Sequence, residues 1–277
     1  MTTRLLVTGG SGYLGGELLR RAPAVGTWLT REPRDGGDWV RLDVRDSAAV
    51  RRELERLRPA AVIHTAYRQD DRESTFDGAT TVAEASAAVE ARLVHVSSDV
   101  IFDGTKRGPY TEDDPPSPIT DYGRAKAEAE GAVRAAHPGA LVVRTSLIYG
   151  GREPSRHERM ACEAAAGRGD TTFFEDELRS PVLVEDLAGA LLELAGRGEA
   201  GILHVAGSDT VSRYEFAVLL AQAHGLSGER ILRSRVAASG LVRPANCALD
   251  SSRAQTLLHT RLRGVLEFAA QAGRRPP

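Results

Sequence analysis

Cysteine is nearly absent from this chain: among 277 residues only Cys162 and Cys247 occur, far apart and with no histidine cluster near either. That spacing excludes a disulfide framework and a zinc site, and no metal is expected. An excess of one charge is missing too, since 36 lysines and arginines face 38 acidic residues, for a net charge of −2. The two signs are mixed throughout, without the cationic stripe that a nucleic-acid partner requires. No apolar run approaches the roughly 20 residues that span a bilayer, so no membrane partner is expected. The opening residues, MTTRLLVTGG, pass at once into a short apolar run and a glycine turn. They leave no room for a signal peptide's apolar segment and cleavage site, and the expected location is the cytoplasm. No internal repeat is present.

What remains is the composition of a soluble globular protein, 42% hydrophobic and 27% charged. Its length suits one large unit or two unequal lobes. Arg4 to Thr8 is apolar enough for a strand, and Gly9-Gly10-Ser11-Gly12-Tyr13-Leu14-Gly15 follows directly, then the amphipathic stretch Glu17 to Arg21. Strand, glycine turn and helix form the context of a dinucleotide fingerprint, here with glycines at 9, 12 and 15 and a first gap one residue wider than G-x-G-x-x-G. Glycine permits the tight turn and the close approach of a pyrophosphate, and the helix N-terminus supplies amide donors.

Ala24 to Leu29 reads as a second strand, whose end meets the adenosine ribose in such folds. A carboxylate there favours the 2′-hydroxyl of NADH. This chain has Thr30-Arg31, and an arginine pairs with a 2′-phosphate, so NADPH is favoured and NADH is the alternative. Val40 to Leu42 is a brief third strand ending in Asp43-Val44, and Ser47 is read as the cap of a helix carrying Val50, Leu54 and Leu57 at helical spacing. Ala61 to Thr65 is a fourth strand and Leu93 to Ser97 a fifth, separated by a polar irregular stretch, Tyr67 to Asp77, and an alanine-rich helix from Thr81 to Val89. His64, inside an apolar strand, reads as a core or cofactor-facing histidine rather than a catalytic one. Such alternation predicts an α/β fold: a Rossmann-type, doubly wound parallel sheet with a smaller C-terminal substrate-binding lobe.

The chemistry concentrates between Leu93 and Lys126. A helix starting near Asp121 places Tyr122 and Lys126 four residues apart on one face, with Cβ atoms roughly 5–6 Å apart. A free tyrosine titrates near about 10, and a fixed ammonium beside it favours the phenolate and makes Tyr122 a candidate general acid. Ser98, at a strand end, is placed to hydrogen-bond a substrate oxygen as negative charge develops on it. Between them, Asp103 to Thr120 holds two glycines and four prolines and is expected to be a loop walling the site. Ala140 to Thr145 reads as a sixth strand.

After Gly150-Gly151 the alternation breaks. Arg152 to Arg159 is charged and irregular, a helix from Met160 to Ala166 follows, and Pro181 to Val184 leads into another helix ending near Leu194. Ile202 to Val205 is a short strand, and Ser212 with Glu215 forms a capping box that opens a helix. The expected division is a cofactor domain of residues 1–150, rejoined by 182–205, and a substrate lobe of 151–181 and 206–277.

Taken together these pieces resemble the extended short-chain dehydrogenase/reductase superfamily and, within it, the dTDP-4-dehydrorhamnose reductase family. The match runs through Ser97-Ser98-Asp99-Val100-Ile101-Phe102-Asp103-Gly104, the stretch Pro109 to Pro116, Tyr122-Gly123-Arg124-Ala125-Lys126, Val143 to Gly150, Ser180 to Ala188, and Arg243 to Asp250. The resemblance implies a catalytic trio of Ser98, Tyr122 and Lys126. It also implies a cofactor site that adds Asp43-Val44 by the adenine, His64-Thr65-Ala66 along the dinucleotide, and Ser97, Tyr122 and Lys126 at its reactive end. Ser98, Asp99, Phe102, Tyr122, Arg179 and Arg243 are the implied substrate residues, the two arginines meeting the phosphates of a nucleotide lying across the cleft between the lobes. The implied reaction is hydride transfer from NADPH to the keto group of a nucleotide sugar. Superfamily relatives are often dimers, so a homodimer is the expected assembly. Two departures stand out: Thr75 replaces an asparagine that members often carry, and Val100 replaces the second carboxylate of the related dehydratases, which disfavours dehydration. The alternatives are reduction of a non-sugar ketone and a cofactor-binding regulatory role like that of the β subunit of methionine adenosyltransferase. The intact trio argues against the second.

Overall fold

The computed structural model describes residues 5–33 and 36–272. Its first half alternates strand and helix: β1 (Leu5–Thr8), α1 (Tyr13–Arg21), β2 (Ala24–Trp28), β3 (Trp39–Arg41), α2 (Ser47–Leu57), β4 (Ala61–His64), α3 (Gly78–Ala88), β5 (Arg92–Val96), α4 (Asp121–Ala136) and β6 (Leu141–Arg144). There follow β7 (Ile148–Tyr149), α5 (Arg156–Ala165), β8 (Thr172–Phe174), β9 (Leu178–Arg179), β10 (Val182–Leu183), α6 (Val184–Ala195), β11 (Gly201–His204), β12 (Val211–Ser212) and α7 (Arg213–Ala223). The chain then continues through β13 (Leu232–Ser234), α8 (Val236–Ser239), α9 (Ser252–Leu257) and α10 (Val265–Ala272). Among the described residues, no helix is long and apolar enough to cross a membrane.

The chain groups into two compact units. One comprises Met1–Ser98, Asp121–Arg144 and Ala188–Leu203; the other comprises Asp99–Thr120, Thr145–Leu187 and His204–Pro277. The first is built on a seven-stranded sheet in the order β11-β6-β5-β4-β1-β2-β3, with parallel registers across β3, β2, β1, β4, β5 and β6. The chain starts in the middle at β1, winds outward to β3, then crosses back to β4 and winds the other way. This is the doubly wound α/β fold expected from the sequence, and the reversal beside β1 is where such sheets bind ligands, at the C-terminal strand ends.

Helices cover the sheet, so the central strands are buried on both sides and read as continuous apolar runs. Val50 and Leu54 of α2, Val82 and Ala83 of α3, and Ala129 and Val133 of α4 pack with Leu6, Val62, Leu93 and Val142 of the strands. Each such leucine or valine, fully buried, contributes about 1.5–3 kcal/mol relative to exposure.

Local chemistry moved several boundaries. The cap of α2 is Asp46, not Ser47: its carboxylate accepts from the Ala49 amide at 2.9 Å, and Ser47 is the first helical residue. A carboxylate one residue earlier is the stronger acceptor at the positive helix end. The polar stretch before α3 is not wholly irregular, since Glu73–Asp77 forms a π-helical turn that runs into it. α5 begins four residues before the expected Met160 because Ser155 and Glu158 close a capping box.

The second unit has its own core, in which Tyr149 packs with Phe173, Leu183, Phe216, Leu220 and Val265. Short pairs of strands frame it: β10 parallel to β7, β12 antiparallel to β9 and β13 parallel to β8.

Candidate active site

At the sheet's reversal, β1 hands the chain to α1 through a turn that only glycine fits. Gly9 has φ +72°, and a Cβ on Gly15 would lie 2.2 Å from the Gly9 carbonyl oxygen. The first turn of α1 contains no acidic residue, and its cap, Gly12, offers no side chain. No acidic side chain of the first turn opposes the positive end of the helix, which suits an anionic pyrophosphate. Thr27 of β2 steadies the turn, accepting from the Gly9 amide through its hydroxyl at 3.0 Å.

A groove of about 220 Å³ opens over this turn and the strand ends around it. Of the residues expected to hold a cofactor, Gly9, Ser11, Gly12, Thr30, Asp43, Val44, Thr65 and Ala66 line it. Arg31 is exposed beyond its walls, whereas Arg45 and Arg68, which the sequence reading passed over, lie along it. Arg45 is held by Asp43, Nη2 to Oδ2 at 2.7 Å, and by Asp71 at 3.3 Å. The Arg45 guanidinium in turn keeps the Asp43 carboxyl below its ordinary range. His64 is outside the groove and buried, its Nδ1 sharing a 2.6 Å hydrogen bond with the Thr8 hydroxyl. Thr75, at the position of the missing asparagine, is also buried and donates to the Arg68 carbonyl at 2.9 Å.

The catalytic candidates all belong to the first unit. Ser98 lies just past the end of β5, while Tyr122 and Lys126 occupy the first two turns of α4. Lys126 is only 2% exposed, and its ammonium donates to the Val96 carbonyl at 2.7 Å, so α4 is pinned to the strand that leads to Ser98. Tyr67 completes the group from the loop after β4. Its ring stacks on that of Tyr122 with centroids 5.7 Å apart, and the Lys126 ammonium lies 4.9 Å from the same ring. Tyr67 also lines the groove, so one aromatic side chain joins the phenol, the ammonium and the cofactor channel.

Below this group is a buried bed of charge. Glu130, one turn beyond Lys126, receives Arg144 in a fork, Nη2 to Oε2 at 2.9 Å and Nε to Oε1 at 3.1 Å, and accepts from the Ser97 hydroxyl at 2.6 Å. Burial pushes Lys126 down to about 8, against the opposing pull of Glu130. On the adjacent strands His64 and His95 stack at 5.2 Å. Burial first, and then the Lys126 charge, holds both imidazoles neutral, His64 near about 3. Among the described residues, neither ring nitrogen of His95 has a hydrogen-bond partner.

A family model described as the RmlD substrate binding domain matches residues 3–271. The chain belongs to that family. With a dTDP-4-dehydrorhamnose reductase from Mycolicibacterium smegmatis, the chain shares 34% identity over 83% of its own length and 72% of the relative's. It is 31% identical to methionine adenosyltransferase 2 subunit beta of Rattus norvegicus, over 92% of this chain and 82% of that one. Among solved structures, the dTDP-4-dehydrorhamnose reductase of Bacillus anthracis in complex with NADP superimposes with a TM-score of 0.82 at 24% identity, covering 98% of each chain. The resemblance to the dTDP-4-dehydrorhamnose reductase family read from the sequence is therefore borne out.

The implied substrate residues other than Ser98 and Tyr122 lie in the second unit. Asp99 is buried and accepts from the Ser146 hydroxyl at 2.6 Å, and Phe102 is buried with its ring 3.9 Å from that of Tyr110. Arg179 is buried beside Glu177 at 3.0 Å, and the more exposed Arg243 donates to the same carboxylate at 2.7 Å. Of the residues that shape this site, sequence reasoning missed Tyr67, Glu130 and Arg45. Glu130 carried a signal, since Tyr122, Lys126 and Glu130 are spaced by fours on one helix, and so did Arg144, a lone charge closing an apolar strand.

Proposed function

We propose that this chain is an NADPH-dependent reductase of the keto group of a nucleotide sugar, the 4-keto group of a dTDP-4-keto-6-deoxy sugar. The observation that carries the reading is the joining of Tyr122, Lys126 and Tyr67 at one end of the groove that begins at the glycine turn. That turn fits a dinucleotide: a helix end without acidic side chains and a glycine contact too tight for any side chain form a pyrophosphate cradle. When bound, the nicotinamide supplies the hydride. Ser98 hydrogen-bonds the carbonyl oxygen of the substrate, and Tyr122 gives that oxygen its proton as the carbonyl is reduced to an alcohol. Lys126 holds a positive charge near the phenol, stabilising its anion after the transfer. Stacking with Tyr67 fixes the ring of Tyr122. Val100 stands beside Asp99 where dehydration would need a second carboxylate, in keeping with simple reduction.

NADPH oxidation followed optically tests the reading, with dTDP-4-keto-6-deoxyglucose supplied in the presence and absence of the enzyme that epimerises it. Turnover is expected, and Tyr122→Phe should lower it by about a hundredfold or more while leaving NADPH binding intact. Tight NADPH binding without turnover of either epimer would favour a second reading, a cofactor-binding regulatory subunit. The likeness to the methionine adenosyltransferase β subunit supports that reading, and the complete trio opposes it.

A further inference from the structure

Asp99 follows Ser98 directly, and its side chain is held in a way that the chemistry above does not use. Beyond β5 the backbone stays paired with the segment that continues β6. The Ser97 amide donates to the Val143 carbonyl at 2.7 Å, and the Asp99 amide to the Thr145 carbonyl at 2.9 Å. Asp99 then opens a 3-10 turn, Asp99–Ile101, closed by the Phe102 amide on the Asp99 carbonyl at 3.3 Å. Ser98 is the residue at which an extended strand gives way to a tight turn, so the direction of its side chain depends on how that turn is anchored.

The anchor is a ladder of charge within the second unit. One oxygen of Asp99, Oδ2, accepts from the Ser146 hydroxyl at 2.6 Å and lies 3.6 Å from Arg179 Nε. The rest of the Arg179 guanidinium donates to the Leu178 carbonyl at 2.7 Å, the Pro244 carbonyl at 3.2 Å and Glu177 Oε1 at 3.0 Å. Glu177 in turn accepts from Arg243 on both oxygens, at 2.9 Å and 2.7 Å. The order Arg243, Glu177, Arg179, Asp99 alternates in sign, and these four side chains sum to no net charge. Asp99, Glu177 and Arg179 are each 2% exposed, and Arg243 forms the solvent end. Separating buried ions of this kind leaves a charge uncompensated, so the inner members keep their geometry. Substrate contacts were expected of Asp99, Arg179 and Arg243, and their side chains engage one another.

We propose that Asp99 is a positioning residue: held by this ladder, it fixes the turn that follows Ser98 and so sets the direction of the Ser98 hydroxyl. The role of that hydroxyl rests on the reductase reading, whereas the hold on the turn does not. Positioning of this kind weighs heavily in catalysis, since a displacement of about 1 Å costs on the order of a hundredfold in rate.

Asp99→Asn keeps the shape of the side chain and removes its charge. With dTDP-4-keto-6-deoxyglucose, alone and with the epimerising enzyme, kcat should fall by roughly tenfold to a hundredfold, while KM for the sugar nucleotide and the Kd of NADPH stay within about twofold. Ser146→Ala, an uncharged change, should lower kcat in the same pattern by less, and it carries the test if Asp99→Asn does not fold. Arg243→Gln, at the solvent end, should do least. Backbone hydrogen exchange read by NMR needs no turnover: the amides of residues 97–102 should exchange about tenfold faster in Asp99→Asn, the scale of one weakened buried hydrogen bond, with those of β1 and β4 unchanged. A raised KM with kcat preserved would make Asp99 a substrate contact and overturn the proposal, as would an unchanged kcat with unchanged exchange. If the wild type turns over neither epimer, faster exchange in the variant upholds the hold on the turn and removes the reductase reading, and unchanged exchange removes both.

Discussion

Both units bury a carboxylate against arginine, and the two settings differ in what is left over. In the first, Glu130 pairs with Arg144, and the remaining cation, Lys126, is engaged by the Val96 carbonyl and the Tyr67 ring. In the second, Glu177 pairs with the buried Arg179 and with Arg243, whose side chain is 39% exposed. The first setting is satisfied by the protein's own groups and gives a charge of fixed position, as proton transfer needs. The second reaches solvent through Arg243, so its charge is less fixed.

The sharpest way to break this contrast is Glu130→Gln. It leaves Arg144 buried without a counter-charge, and a loss of about 3–5 kcal/mol is expected in urea unfolding. Adding Arg144→Met should restore much of it. In whatever fraction folds, Lys126 loses the carboxylate that raises it, so the alkaline fall of kcat should begin at lower pH than in the wild type. An unchanged alkaline limb would show that Glu130 does not act on the lysine.

A smaller effect is expected from His95→Leu. The folded protein holds His64 near about 3, and His95 is held well below its ordinary value, whereas both titrate near about 6.5 when unfolded. Because the unfolded chain takes up more protons in that window, their contribution is complete above about 6.5 and drains away as the pH falls toward 3. His95→Leu removes one of the two groups and two unpartnered nitrogens, so it should be neutral or stabilising at neutral pH. It should also flatten the loss between pH 6 and 4 by about 1–3 kcal/mol, read from urea midpoints. A steeper loss would show that the imidazole is satisfied in solution.

The smallest expected change is in coenzyme choice. Arg45→Ala should weaken NADPH only a few-fold relative to NADH, since that guanidinium is solvated and shared with Asp43 and Asp71. Arg31→Ala should do less, because Arg31 is outside the groove. The reverse order of the two, measured by competition binding, would return the 2′-phosphate to Arg31.

Most of the first unit was legible in the sequence for a physical reason. Parallel strands covered on both faces must be apolar throughout, so β1, β4, β5 and β6 were placed to within a residue, whereas α1 begins at Tyr13, four residues before the amphipathic stretch read from Glu17. Tyr122 and Lys126 were visible because helical spacing is local. Tyr67 was not, because it reaches Tyr122 from a polar loop 55 positions earlier in the chain, and no local period encodes that approach. Glu130 was overlooked because a lone glutamate on a helix most often faces water, and only the partner on β6 shows otherwise. In the second unit the capping box at Ser212 and Glu215 was read correctly. The pairing of Glu177 with Arg179 and Arg243 was not visible, because Arg243 comes from a loop 66 positions away.

The contact between Gly15 and the Gly9 carbonyl has a consequence for how this protein can diverge. With no room for even a methyl group there, the phosphate cradle is closed to gradual substitution, and every one-step exchange of either glycine sacrifices the turn. The rim formed by Trp28, Leu29, Thr30 and Arg45 is under no such constraint. A lineage that switches coenzyme must therefore do so by redrawing the rim around an unalterable cradle, and descendants should differ at residues 28–31 and 43–45 long before they differ at 9, 12 or 15.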